Sequence, residues 1–162
     1  MSSAGAAPGR YFVSPGTVAA DAVLADWRWA LDGACTLLGV TRMGDAFVID
    51  PAGRVIFLDT LEGLAREVAP SVSDFEEILA AGTRDDDWFL PGFVEAMERK
   101  GSRLEPGECY SYRLPPVLGG PIEVANLHVM SILVHFSLSG QLHEQLRRLP
   151  KGARISGFEL AE

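Results

Sequence analysis

Two β-rich runs held apart by three turn residues constrain this chain more than any other stretch of it. Ala46 to Asp50 reads AFVID, Arg54 to Thr60 reads RVIFLDT, and Pro51, Ala52 and Gly53 lie between them. β-Branched and aromatic residues suit a pleated backbone, and Gly53 provides the left-handed position that a tight hairpin needs. LLGVTRM before the hairpin and LAREVA after it are expected to add outer strands. The result is a small antiparallel meander, and the remaining segments must cover it.

Most of those segments have helical signatures. TVAADAVLADWRWAL, from Thr17, places Val18, Val23, Leu24, Trp27 and Leu31 near helical spacing, with Thr17 as the expected N-cap and Gly33 as the stop. Ser73 and Glu76 read as a capping box for a helix ended by Gly82. In DDDWFLPGFVEAMERKG the acids Asp85, Asp86 and Asp87 suit a helix N-terminus, Pro91 a first turn and Gly101 a stop. ECYSYRL, Glu108 to Leu114, alternates as a strand, and PPVLGGP after it is a rigid turn. Val124 to Leu149 is apolar nearly all round. Gln141 to Leu149 reads as helix, and one buried helix from about Val124 or Asn126 is favoured, although Val129 to Leu138 also fits a core strand. ARISGFEL, from Ala153, reads as a short terminal strand. With residues 1–10 as a disordered tail, residues 11–162 form one α+β domain, a small antiparallel sheet packed with several helices.

Charge narrows the function. Fourteen Lys and Arg face 22 Asp and Glu, a net charge of -8. Such a surface repels phosphate backbones, so direct nucleic-acid binding is disfavoured, whereas a cationic protein partner is attracted. The same acidity also serves solubility. The N-terminus has no apolar signal-peptide core, and no uninterrupted apolar run is long enough to span a membrane. Cys35 and Cys109 stand far apart in unlike contexts and read as small core residues of a reducing, cytoplasmic compartment.

No catalytic, cofactor or metal set is expected from the residue pattern. LGGP, Leu118 to Pro121, lacks the Lys and the spacing of a phosphate loop. Nothing beside Cys109 activates a thiolate, and no GxSxG occurs. His128, His135 and His143 are spaced by seven and eight, which places them on one helical stripe but about 10 Å apart along it, too far for one zinc ion. Each reads as a satisfied, half-buried histidine. The Asp85–Asp87 run has neighbouring side chains that diverge, and no spaced DxDxDG calcium loop is present.

These segments together resemble a known family. GDAFVIDPAGRVIFLDTLEG, the helix after SVSDFEEIL, DDDWFL, GECYSYRLPPVLGG and HVMSILVHFSLSGQLHEQLRRLPKGARI are similar to the C-terminal domain of bacterial type VI secretion immunity proteins, often fused behind a GAD-like domain. The hairpin is also similar in style to SMI1/KNR4-like immunity domains. The resemblance runs from about Trp27 to Phe158; only about 26 residues precede it, so a complete GAD-like region is not seen. It implies a cytosolic, non-enzymatic protein that binds a cognate effector toxin and blocks its active site, the toxin being a DNase or an NAD-degrading enzyme. An adaptor or ligand-binding module that recruits an effector without inhibiting it is the other reading. For the toxin contact, the acid run Asp85, Asp86 and Asp87 and the aromatic anchors Trp88, Tyr110 and Tyr112 are the candidates.

Overall fold

The two central strands explain the architecture. In the computed structural model, which describes residues 10–155, 157, 160 and 161, β1 (Thr36–Val40), β2 (Ala46–Ile49), β3 (Val55–Asp59) and β4 (Leu64–Ala69) form an antiparallel sheet in the order β1-β2-β3-β4. β2 and β3 pair from Ala46↔Leu58 to Ile49↔Val55, around the expected turn. Their apolar runs are nearly unbroken because both faces are covered. Val40, Ala46, Val48 and Leu58 pack on one side against Val23, Leu24, Trp27, Ile132 and Phe136. Phe47, Val55 and Phe57 pack on the other against Phe75, Trp88 and Phe89. Aromatic rings dominate this second face, with Phe47 4.7 Å from Phe75 and 5.2 Å from Trp88 between centroids.

Helices supply both covers. On the first face lie α1 (Ala20–Leu24), its 3₁₀ continuation Ala25–Ala30, and α5 (Ile132–Leu146). On the second lie α2 (Val72–Ala81) and α3 (Asp85–Phe89), followed by α4 (Pro91–Arg99). A two-stranded ribbon, β5 (Glu108–Tyr112) with β6 (Leu127–Ser131), sets Tyr110 and Leu127 against Val94 and Met97 of α4, while Cys109 joins the first core. This is the α+β domain expected, a small antiparallel sheet with several helices.

Several boundaries differ from the sequence reading. The first helix starts at Ala20, because Pro15 to Val18 closes a turn instead, and Thr17 caps nothing. The α2 cap is Ser71, whose Oγ accepts the Asp74 N–H at 3.1 Å, so Ser73 and Glu76 do not form the box. DDDWFLPGFVEAMERKG is two helices, since Leu90 takes a left-handed φ of 47° and Pro91 restarts the chain. The segment from Val124 is neither one helix nor a ten-residue strand. A 3₁₀ turn leads into β6, which gives β5 its ladder partner, and the helix begins only at Ile132. Helix α5 ends at Leu146, short of Leu149. Cys35 sits half-buried at the core margin. Residues 1–9 of the expected tail lie outside the described residues. So do Ser156, Phe158 and Glu159 of the expected last strand, whose described residues are not in strand.

Candidate functional site

The polar groups of this molecule converge where α5 crosses the end of the sheet. His135 and His143, eight residues apart, face the β1–β2 and β3–β4 turns. His135 Nε2 is 2.8 Å from the Gly44 carbonyl and 3.0 Å from Thr60 Oγ1, and its Nδ1 is 2.8 Å from Ser111 Oγ. A carbonyl only accepts, so Nε2 carries the proton and Nδ1 accepts from the Ser111 hydroxyl. By the same reasoning His143 Nε2–H donates to the Thr60 carbonyl at 3.0 Å. The turns must come very close for this. A Cβ on Gly44 would stand 2.4 Å from His135 Nε2, and one on Gly63 2.4 Å from His143 Nδ1. Asp45 completes the group by accepting the Thr60 N–H at 2.8 Å, with the Thr60 hydroxyl 3.1 Å away.

Burial governs the protonation of these groups. Desolvation, with Asp59 nearby adding to it, pushes Asp45 up to about 8, so the buried carboxyl is largely neutral at pH 7. Desolvation pulls His135 down to about 4, against a smaller opposing contribution from the Gly44 carbonyl. His143 is also lowered, by burial first. Burial raises the Cys109 thiol far above its ordinary range.

Thr60, Ser111, His135 and His143 also line a cleft of about 340 Å³ whose walls are Met43, Leu114, Val117, Leu138 and Leu142. Apolar walls with a few convergent polar groups are the ordinary form of a ligand pocket. Ser111 and His135 are paired as a nucleophile and base would be. A histidine held near 4 is nonetheless a weak base at pH 7, and Asp45 reaches it only through Thr60. The arrangement fastens α5 to two turns. Among the described residues no cluster of three or more His, Cys, Asp or Glu is set to hold a metal ion, and no helix is long and apolar enough to cross a membrane.

Residues 69–143 match the family model "T6SS immunity protein Tdi1, C-terminal", a span just under half of the chain. That stretch is similar to type VI immunity domains. It contains α2, α3, α4, the ribbon and most of α5, so it supplies one cover of the sheet and much of the other. Among solved structures, Atu4351 from Agrobacterium tumefaciens matches with a TM-score of 0.55 and 16% identity over 75% of this chain, which shows a shared fold. The match spans 62% of that protein's length. No curated protein matches the chain.

Within the matched span the six residues expected to meet a partner are divided between α3, which holds Asp85 to Trp88, and β5, which holds Tyr110 and Tyr112. Asp86 and Asp87 are exposed, and Asp85 is half-exposed. Trp88 is buried at 3% exposure among Phe47, Phe75 and Phe89, so it is a core residue and not a surface anchor. Tyr110 is wholly buried and donates to the Ser102 carbonyl. Tyr112 is half-buried beside Val94 and Leu127. Bulky aromatics that follow acids or alternate along a strand fill cores as readily as they anchor interfaces, and here the sheet needed filling. The Ser111–His135–Thr60–Asp45 group was not visible in the sequence. Its only signals were the histidine spacing and the Gly44-Asp45 pair before a strand.

Proposed function

We propose that this chain is an immunity protein of a type VI secretion system, which binds a cognate effector toxin in the cytosol and blocks its active site. The match of residues 69–143 to the immunity family carries this reading. Charge supports it, because DNase and NAD-degrading toxins must hold polyanionic substrates in cationic clefts, and an acidic protein of net charge -8 can fill one. The acid run lies on a helix rooted in the core. Trp88 and Phe89 root the short helix α3 in the core, while Asp87, with a side chain 66% exposed, pairs with Arg84 at 3.0 Å. Asp85, Asp86 and Asp87 are the proposed toxin contacts; Trp88 and Tyr110 act from the core as supports, and Tyr112 lies nearer the surface. A second reading, an adaptor or ligand-binding module, draws on the cleft beneath Leu114 and Val117.

Co-expression with the toxin encoded beside this gene separates the two. An immunity protein restores growth and abolishes toxin activity in vitro, whereas an adaptor binds a toxin that stays active. Within the immunity reading, reversing charge at Asp85, Asp86 and Asp87 weakens binding by calorimetry about tenfold or more, the scale of a charged interfacial cluster. Unchanged affinity removes these residues from the interface.

A further inference from the structure

Both outer strands of the sheet, β1 and β4, have an edge largely without a backbone partner among the described residues; β4 carries the charged Arg66 and Glu67, whereas β1 does not. β1 is an outer strand, and the N-terminal segment covers only its end, through the Phe12↔Thr41 bridge and the Val13 N–H to Val40 carbonyl bond of 2.9 Å. Among the described residues no other segment bonds through its backbone to the outer side of Thr36, Leu37, Leu38 or Gly39. Native sheets blunt such an edge with lysine, proline or a covering element, because its free N–H and C=O groups are a template for another strand. Here it carries Leu38, 37% exposed, and neither lysine nor proline; its one blunting device is the register shift between Leu37 and Gly39.

The edge lies in a slot of about 390 Å³. Its floor is Leu37 to Val40, one wall is Val13 and Val18, and the other is the α2 stripe of Val72, Phe75 and Leu79, with exposed Glu76 beside them. The charge around it is mostly negative. Residues 12–41 and 68–83, which build the slot and its surroundings, contain Asp21, Asp26, Asp32, Asp74, Glu76 and Glu77 against one cation, Arg28, whose charge is felt at Cys35 beside β1. Among the described residues none of these six acids is in an ion pair.

The geometry points to strand addition: an extended segment of the partner protein, apolar at alternate positions and lysine- or arginine-bearing between them, pairs with the outer edge of Thr36–Gly39 in the slot between β1 and α2. Main-chain bonds to the edge hold the segment, alternate apolar side chains enter the slot beside Leu38, and its cations meet acids that are in no ion pair. Four residues of strand are about 13 Å long, so the added segment is four or five residues. That the partner is a toxin rests on the immunity reading; the edge, the slot and the sign of the charge do not.

The test uses the full chain and the toxin domain encoded beside its gene, inactivated in its catalytic residues. Hydrogen exchange of the complex should slow the amides of residues 36–39 at least tenfold. Leu38→Lys and Glu76→Lys, both at exposed positions, should each weaken binding at least tenfold while melting at the wild-type temperature. If the toxin binds the wild type but these amides stay unprotected, or both variants bind as tightly as wild type, strand addition is wrong and the immunity reading stands. If the toxin does not bind the wild type at all, the immunity reading fails, and this inference fails with it.

Discussion

Asp45 and His135 lie in one buried group, yet the protein shifts them in opposite directions. Unfolded, a histidine takes a proton near 6.5; folded, His135 refuses it until about 4, so acidification across that window costs stability. Asp45 works the other way. The folded chain keeps its proton up to about 8, whereas the unfolded chain loses it above 3.8, so this stabilisation is complete at low pH and drains away as pH rises to about 8. Asparagine keeps the acceptor that Thr60 uses and cannot ionise. The stability of Asp45→Asn relative to wild type should therefore climb between pH 4 and 8, at about 1.4 kcal/mol per pH unit. Urea denaturation at several pH values in that range measures it, and a flat difference would mean that Asp45 is ionised in the fold. The histidine spacing was enough to predict satisfied side chains on one stripe for His135 and His143. It failed for His128, which lies on β6 ahead of the helix. The partners of His135 were out of reach of the sequence, since Gly44 and Thr60 stand 91 and 75 residues from it.

Among the elements, the hairpin was legible because its signal is local: β-formers, a turn and a glycine in one short span. Boundaries decided by tertiary packing were not. β6 is a strand because β5 needs a ladder partner, and nothing within Leu127–Ser131 distinguishes it from the helix that follows. In SVSDFEE two serines compete for one cap. Starting at Ser71 places Asp74 at the third helical position, where its N–H reaches the serine Oγ and its carboxylate receives the serine hydroxyl. The two positions thus make unequal demands. Ser71→Ala should cost about 1 kcal/mol of stability, the usual loss for an N-cap, whereas Ser73→Ala, at an exposed helical position, should change it by less than about 0.5 kcal/mol. Thermal or urea melts of the two variants decide between the caps, and equal losses would mean that Ser71 does not hold the helix.

At the scale of the whole molecule, the sheet lies between two helical covers and uses most of its largest aromatic side chains for itself. Trp27, Tyr110, Phe47, Phe89 and Phe136 are among the largest fully buried residues, and Trp88 is at 3% exposure. What remains outside to recognise a partner is charge, the edge of β1 and exposed aliphatic residues such as Leu114, Val117 and Ile122. A net charge of -8 sets up a field that acts before contact, which raises the association rate with a cationic partner and leaves dissociation to the short-range contacts. Screening separates the two contributions. The Debye length shrinks from about 10 Å at 0.1 M salt to about 3 Å at 1 M, so long-range steering fades while hydrogen bonds to a strand edge persist. Stopped-flow association with the inactivated toxin should therefore slow by about tenfold or more between low and molar salt, with a much smaller change in the dissociation rate. If both rates are insensitive to salt, the acidity serves solubility alone. Recognition would then rest on the apolar slot and its edge, because those contacts do not depend on ionic strength.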